Sequence, residues 1–301
     1  MNPEDIEAGL TSTDYQTRLR WAEDRSFTPT YEQMERGLMD DEWDVSLAWA
    51  ERIDSTQYPE LIEKALTSIH VETRDGMAER MDWTPTPEQV ERGLTDEDWG
   101  VRYVWVVRMD YVPTPEQIER GLTDSSWRVR CAWAERTDYT PTPQQIERGL
   151  TDKDGSVRFA FTQRTDYSPS LEHIEKRGMQ DEEAYVRSEW AKRMDWTPTP
   201  EQIEKGLTDE EGLVRKAWAE RTDYTPTPQQ IERGLTDKDE EVVACWILRK
   251  DFFPTQDRIQ KGLKSTDAFI RSAWEKKVSE MCNSIEESDT DFFDQYIDIN
   301  I

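Results

Sequence analysis

The sequence predicts an all-α protein built from about ten two-helix repeats, an α-solenoid. The first observation is a Gly-Leu step that returns ten times, with its first position at residues 9, 37, 65, 93, 121, 149, 178, 206, 234 and 262. Every interval is 28 residues except one of 29, although the step reads Ala-Leu at 65 and Gly-Met at 178. A fixed period of this length is the signature of stacked repeats. The second observation is that start signals and apolar faces typical of two short helices lie within one period.

The repeat around Gly121 shows how its first helix is specified. Thr114-Pro115-Glu116-Gln117 has the pattern of a capping box with proline at the first helical position. Ile118, Gly121 and Leu122 follow at i, i+3 and i+4, which gives a narrow apolar face. Gly121 either permits close helix packing or helps to end the helix. The sequence alone does not decide between these two roles.

The second helix is predicted to begin at Asp124, a good N-cap. Its core face is Val129, Ala132, Trp133 and Arg136, spaced i, i+3, i+4 and i+7. The equivalents of Asp124 are Ser12, Asp40, Ser68, Asp96, Asp152, Asp181, Asp209, Asp237 and Ser265. The equivalents of Trp133 are Trp21, Trp49, Met77, Trp105, Phe161, Trp190, Trp218, Trp246 and Trp274. Aromatic residues at helical spacing are typical of a core, so we expect this column to be buried.

Two further positions recur near the end of each second helix. Arg occupies the Arg136 position in nine repeats, if Arg25 is allowed a shift of one residue, and Asp occupies the Asp138 position in eight. We interpret them as a structural ladder that ties each layer to the next and satisfies backbone groups of the loop.

The step Asp-x4-Val-Arg, as in Asp124…Val129-Arg130, resembles the signature of HEAT repeats. The combination of Pro-Glu-Gln-Ile-Glu-Arg-Gly-Leu-Thr-Asp with Val-Arg-x-Ala-Trp-Ala is similar to the related variant leucine-rich repeats. The resemblance covers roughly residues 3 to 277. It implies a right-handed α-solenoid in which the Asp and Arg bond between neighbouring layers. It specifies architecture well and activity hardly at all.

The negative charge of the chain is unevenly distributed. The formal net charge is -27, of which residues 1–150 carry -16, residues 151–279 carry -4 and residues 280–301 carry -7. The domain organisation predicted from these features is a HEAT-like solenoid over residues 1–278, with repeats 1–5 strongly acidic and repeats 6–10 near neutral. Residues 279–301 are predicted to form an acidic and aromatic tail that either caps the last layer or binds separately.

The outer side of the second helices differs between the two halves. Residues two before and two after the core Val point away from the core at 100° per residue. In repeats 1–5 these positions hold several large aromatic residues beside acids, whereas in repeats 6–10 they are mostly small or polar. Exposed aromatic patches with polar rims mark interaction sites. The predicted partner-binding residues are Tyr15, Leu19, Asp40, Asp41, Glu42, Trp43, Asp44, Leu47, Asp96, Glu97, Asp98, Trp99, Tyr103, Asp124 and Trp127.

The sequence does not favour catalysis, a cofactor or a metal. His70 and His173 are about a hundred residues apart, and Cys131, Cys245 and Cys282 are scattered without ligand spacing. The iron–sulfur cluster known in one variant leucine-rich repeat protein needs clustered cysteines, so it is not expected here. The acidic charge opposes direct binding to nucleic acid or to anionic membranes. With no signal sequence or spanning segment apparent, we expect a cytoplasmic protein.

Two binding functions fit these features. The first is a non-enzymatic scaffold that presents an acidic, Trp-rich surface to a protein partner with a basic surface. The alternative is a nucleic-acid mimic, such as a phage or mobile-element inhibitor that occupies the basic nucleic-acid site of a defence enzyme. A HEAT-like nucleic-acid-processing enzyme is a more distant alternative, because the DNA glycosylases of that architecture rely on a basic groove.

Overall fold

The protein consists of short helices arranged in pairs. The structure, a computed structural model, describes residues 2–286, with side chains as far as residue 282. The first helices of repeats 1–10 are Pro3–Leu10 (α1), Tyr31–Leu38 (α3), Pro59–Leu66 (α5), Pro87–Leu94 (α7), Pro115–Gly121 (α9), Pro143–Leu150 (α11), the π-helical turn His173–Gly178, Pro200–Leu207 (α14), Pro228–Leu235 (α16) and Gln256–Leu263 (α18). The second helices are Tyr15–Glu23 (α2), Trp43–Ala50 (α4), Val71–Glu79 (α6), Trp99–Val107 (α8), Trp127–Glu135 (α10), Gly155–Gln163 (α12), Ala184–Lys192 (α13), Gly212–Glu220 (α15), Glu240–Leu248 (α17) and Ala268–Glu286 (α19).

The chain divides into two compact units, Met1–Phe161 and Thr162–Ile301. In the first unit, the second helices α2, α4, α6, α8 and α10 pack in that order, and α3, α5, α7 and α9 form the neighbouring row. In the second unit, α13, α15, α17 and α19 pack in succession. Each unit is therefore an all-α stack of helix pairs, which confirms the predicted fold class and repeat.

The first helices begin as the sequence predicts. Thr114 accepts a hydrogen bond from the backbone N–H of Gln117, and the side chain of Gln117 accepts one from the backbone of Thr114. The amide of Gln117 also donates to Glu91 of the preceding repeat, at 2.9 Å. The capping box thus has a second role, because it links successive first helices.

The recurring glycine permits close contact with the aromatic residue of the second helix. A Cβ atom placed on Gly121 would overlap the indole of Trp133, and the same holds for Gly93 and Trp105. Among the described residues no glycine has a positive φ, so a left-handed helix end is not the reason for glycine here. In repeat 3 both positions change together, since Ala65 replaces the glycine and the flexible Met77 replaces the aromatic residue.

The aromatic column is core, as predicted. Its largest fully buried members are Trp49, Trp105, Trp133, Phe161, Trp190, Trp218 and Trp246. Met77 is also fully buried, whereas Trp21, in the first repeat, is only partly covered.

The predicted N-cap of the second helix is wrong by two residues. Helix α10 begins at Trp127 after the N-cap Ser126, and α8 begins after the N-cap Asp98. Asp124 instead accepts a hydrogen bond from the backbone N–H of Ser126, at 2.8 Å, which forms the turn that leads into the helix. The sequence correctly predicts that a helix begins near Asp124. It does not distinguish an Asp that caps a helix from one that stabilises the turn before it, because both uses favour the same residue.

The Asp and Arg of the HEAT-like step bond between neighbouring repeats. The Nε and Nη2 groups of Arg102 donate hydrogen bonds to the carboxylate of Asp124, at 2.7 and 2.8 Å. The equivalent pairs are Arg18–Asp40, Arg74–Asp96, Arg130–Asp152, Arg187–Asp209 and Arg215–Asp237. The hydrogen bonds that Arg102 donates to Asp124 raise the pKa of Arg102, although burial opposes this. This confirms the arrangement that the resemblance implied.

The interface between repeats 2 and 3 lacks this ion pair. Ser46 stands at the Arg position and Ser68 at the Asp position. Thr73, at the core Val position, donates to the buried Ser46 hydroxyl at 3.0 Å, and Ser46 donates to the carbonyl of Leu38. Neutral hydroxyls replace a charged pair at this one place in the first unit.

The second ladder follows the prediction in part. Arg136 donates to the carbonyls of Val106 and Arg108 in the preceding repeat, so the arginine does tie two layers together. Asp138 pairs with Arg136 of its own repeat rather than with the next layer. The guanidinium lies over the rings of Tyr111 and Trp133. Arg136 therefore has two aromatic rings and one carboxylate around it.

The predicted tail lies mostly outside the described residues. Residues 279–286 continue helix α19 beyond the expected boundary at 278. The acidic and aromatic segment Asp289–Ile299 is outside the described range.

Replacing Gly93 by Ala should destabilise the protein, because the new methyl group overpacks against Trp105. The expected cost is about 1–3 kcal/mol in denaturant unfolding. Replacing Trp105 by Met in the same chain should recover part of that cost, as in the natural Ala65 and Met77 pair, and a double-mutant cycle should give a coupling of about 1 kcal/mol. Gly100→Ala, in the same repeat but without a core contact, is the control. Additive effects of the two replacements would contradict the steric explanation.

Candidate functional site

Five aromatic side chains lie exposed on the outer face of the second helices in the first unit. They are Tyr15, Trp43, Trp99, Tyr103 and Trp127, each between 37 % and 48 % exposed. They occupy the outward positions that helical geometry predicts, although their role in binding stays a prediction. Leu19 and Leu47 are only partly exposed. Leu47 is held by close contact with Gly76 of the next repeat, so it offers less surface.

Three of the predicted binding acids are engaged inside the protein. Asp40, Asp96 and Asp124 form the ion pairs between repeats, and their side chains are only 9–11 % exposed. Burial opposes ionisation of Asp40, but hydrogen bonds from Arg18 and the backbone outweigh it and lower the pKa of its carboxyl group. These acids have a structural role, so we do not retain them as contact residues.

The other predicted acids are more accessible. Asp41, Glu42 and Glu97 are exposed. Asp98 is partly covered and accepts a hydrogen bond from the N–H of Gly100, at 2.7 Å, at the start of α8. Asp44 is also partly covered and accepts from the N–H of Val45. These acids surround the exposed tryptophans at the starts of α4 and α8.

Two adjoining clefts run along this face. The first, of about 550 Å³, lies between α6, α8 and α10, and the second, of about 470 Å³, lies between α4 and α6. Asp75 and Glu79 of α6 line both clefts. Trp99, Tyr103 and Trp127 line the first cleft, which we call the aromatic cleft, whereas Trp43 lines the second.

Helix α8 carries an exposed apolar stripe at the edge of the aromatic cleft. Trp99, Tyr103 and Val107 are exposed and spaced i, i+4 and i+8, which places them on one side of the helix. The positions equivalent to Val107 in the neighbouring repeats are Glu79 and Glu135. Val107 is not among the residues predicted from the two positions that flank the core Val. Its signal in the sequence is a valine where the neighbouring repeats have Glu79 and Glu135.

Arg128 lies between two of the exposed tryptophans. Its guanidinium carbon is 4.9 Å from the ring centroid of Trp99 and 4.6 Å from that of Trp127. Within the described residues Arg128 makes no ion pair, unlike the arginines of the two ladders. No other repeat has a basic residue at this position, so the repeat fold does not require it.

Asp75 is the unusual acid of the aromatic cleft. Its Oδ1 atom is buried and has no hydrogen-bond partner in the described part of the chain. Burial, followed by the charges of Glu79, Asp98 and Glu72, raises the pKa of its carboxyl group. The equivalent residues in the adjacent repeats are Leu47 and Tyr103, so a carboxylate is not needed for folding at this position.

The candidate residues for other chemistry are engaged in local structure. The imidazole of His70 lies 2.9 Å from the carbonyl oxygen of Asp40. Burial, with the nearby Glu135, raises the pKa of the Cys131 thiol to about 12. Within residues 2–286, no three His, Cys, Asp or Glu residues are grouped so that they could hold a metal ion. None of the helices described is both long and apolar enough to cross a membrane.

Residues 116–132 match the family model described as "HEAT repeat associated with sister chromatid cohesion". This segment runs from the first turn of α9 into α10. In this segment the helix pair is similar to a HEAT repeat. The chain is also similar to a solved structure described as a leucine-rich repeat variant with a novel repetitive protein structural motif. That similarity covers 89 % of this chain and 88 % of the other at 18 % identity, with a TM-score of 0.41. The search of curated proteins gave no match.

Replacing Asp75 by Asn should stabilise the array of helix pairs at neutral pH. The raised pKa means that ionised Asp75 lowers stability above that pKa, whereas below its ordinary value of 3.8 the carboxyl group is neutral in both folded and unfolded chains. The gain in unfolding free energy, on the order of 1 kcal/mol, should therefore be largest near pH 7 and disappear on acidification. Denaturant unfolding between pH 7 and pH 3.5 measures it. A loss of stability at pH 7 would contradict this account of Asp75.

Proposed function

We propose that this protein is a non-enzymatic scaffold that binds a basic segment of a protein partner on the outer face of α4, α6, α8 and α10. The observation that carries the proposal is the exposed stripe of Trp99, Tyr103 and Val107, bordered by acids that have no ion-pair partner in the described residues. Apolar patches of this kind on a soluble protein are typical of interaction surfaces. Tryptophan and tyrosine are also the residues that most often dominate binding energy.

The local charge supports a basic partner. Glu72, Asp75 and Glu79 lie together on α6, and no ion pair within the described residues neutralises them. Surfaces of one charge attract partners of the opposite charge and orient them during encounter. A partner segment that carries Lys or Arg would therefore relieve repulsion among these carboxylates while its apolar parts cover the stripe.

The second unit supplies an internal comparison. Ser188, Gly212 and Ala244 occupy the sequence positions equivalent to those of the exposed aromatic residues, and Ser188 and Ala244 are buried. One cleft of this unit, of about 790 Å³, is lined mainly by charged residues and by no aromatic side chain. Because the same repeat folds without the stripe, the stripe serves a purpose other than folding.

The observations favour a basic protein segment over mimicry of nucleic acid. A mimic needs free carboxylates at regular spacing along its surface. Several acids that recur with the repeat, such as Asp96, Asp124 and Glu91, are paired with arginines and are not free in this sense. Asp75 and Glu79, which make no ion pair within the described residues, line the aromatic cleft. Competition by duplex DNA for the captured partner would identify a mimic.

The triple replacement Trp43→Ser, Trp99→Ser and Trp127→Ser should abolish partner capture. Immobilised wild-type and variant proteins are exposed to the proteins of the native host, and retained proteins are quantified by mass spectrometry at low and moderate salt. We expect proteins with basic segments to be retained by the wild type and reduced about tenfold or more with the variant, since several hot-spot contacts are lost.

A matched variant controls for loss of exposed apolar surface. Leu213→Ser with Phe269→Ser removes exposed side chains from the second unit and should leave capture unchanged. Circular dichroism and thermal unfolding of each variant show whether it is folded. Equal capture by the wild type and a folded triple variant would overturn the proposal. Each of the three tryptophans is partly buried, so their replacement can also affect folding. Glu97 is highly exposed, and Glu97→Lys is therefore a second test that should also weaken capture.

A further inference from the structure

The aromatic cleft has the features of a receptor for one particular side chain. We infer that it binds an arginine of the partner, with Asp75 accepting hydrogen bonds from the guanidinium group and the rings of Trp99 and Tyr103 packing against it. This inference rests on the proposed function and specifies the group that is recognised. It is carried by an unsatisfied carboxylate and exposed aromatic rings that line the same cleft.

The protein itself shows how it accommodates a guanidinium group. Arg108 lies 4.7 Å from the ring centroid of Trp83 and 5.5 Å from that of Trp105, and it pairs with Asp110. The same arrangement of two aromatic rings and one carboxylate surrounds Arg136, Arg193, Arg221 and Arg249. A planar guanidinium can stack on rings and bond a carboxylate at the same time.

The aromatic cleft contains aromatic rings and a carboxylate, but no guanidinium group contacts both. Asp75 provides a carboxylate with no guanidinium group bonded to it. Trp99 and Trp127 hold the guanidinium of Arg128, but that arginine has no carboxylate partner in the described residues. An arginine from the partner would complete the set, because it supplies the donors that Asp75 lacks and a flat surface for the rings.

Arginine fits this cleft better than lysine. A guanidinium group can give two parallel hydrogen bonds to one carboxylate and stack on an aromatic face, whereas an ammonium group acts as a compact, strongly hydrated charge. The partly desolvated carboxylate and the large ring area of the cleft favour the first kind of group. Cation–π contacts of this type gain strength when they are shielded from water.

The test measures binding of a fluorescent nona-arginine peptide, with a nona-lysine peptide of equal charge for comparison, at about 150 mM salt to screen long-range attraction. The proteins are the wild type, Asp75→Asn and Glu88→Gln. Glu88 is exposed on a first helix, so its replacement gives the same change in net charge away from the cleft. We expect Asp75→Asn to weaken nona-arginine binding about tenfold, with a smaller effect on nona-lysine. Equal losses for Asp75→Asn and Glu88→Gln, or for the two peptides, would overturn the inference.

A second variant tests the resident arginine. Arg128→Ala removes a positive charge that repels the incoming guanidinium and vacates the rings of Trp99 and Trp127. We expect nona-arginine binding to tighten about threefold, while Lys238→Ala, an exposed basic residue of the second unit, should give a smaller change. Unchanged or weaker binding by Arg128→Ala would contradict the inference.

These results separate the inference from the proposed function. If the triple tryptophan variant loses capture while Asp75→Asn behaves like Glu88→Gln, the surface binds a partner but not through arginine recognition at Asp75. If the triple variant and Asp75→Asn both behave as the wild type, the proposed function fails together with the inference. Thermal unfolding of Asp75→Asn shows whether the variant is folded. Because we expect the variant to be more stable than the wild type, a loss of binding that is due to unfolding would appear as a lowered unfolding temperature.

Discussion

The contact of a tryptophan with bare glycine backbone is the constraint on which most of the repeats depend. The indole of Trp133 occupies the space where a Cβ atom of Gly121 would lie, so the two helices of a repeat approach each other closely. That approach buries the aromatic column and leaves the opposite side of the second helix facing outward. Residue size at the positions flanking the core Val varies from repeat to repeat without changing the fold. Trp99 is exposed, Gly212 has no side chain, and Ser188 is small and buried.

The regular features were predictable because they depend on local chemistry repeated ten times. The capping box at Thr114 and the buried column follow directly from spacing and residue type. The sequence could not show whether Asp124 caps the helix or stabilises the turn before it, since both roles use the same side chain. The aromatic cleft was predicted only in part. Its tryptophans lie at positions set by helical geometry, but the isolation of Asp75 and the place of Arg128 between two rings depend on contacts across three repeats.

Formal charge is a poor guide to the field around this protein. The recurring acids are bonded to arginines at short range, so pairs such as Arg102–Asp124 act as dipoles rather than as separate charges. In repeat 3, Glu72, Asp75 and Glu79 make no ion pair within the described residues and lie together on one helix. Asp75, Glu79 and Glu72 are therefore more important for recognition than their share of the total charge suggests. Local pairing, rather than composition, decides which carboxylates a partner meets.

The hydroxyl-lined interface between repeats 2 and 3 has a consequence for the cooperativity of the first unit. In a repeat array, folding is cooperative because each repeat is stabilised mainly by its neighbours. Where Ser46, Ser68 and Thr73 replace the ion pair and an apolar side chain, the coupling between neighbours rests on weaker, neutral hydrogen bonds. Local opening starts where such coupling is weakest. Repeat 2 is therefore coupled to repeat 3 without the ion pair that joins repeats 3, 4 and 5. We expect backbone amides in α3 and α4 to exchange with solvent more rapidly than those in α8 and α10.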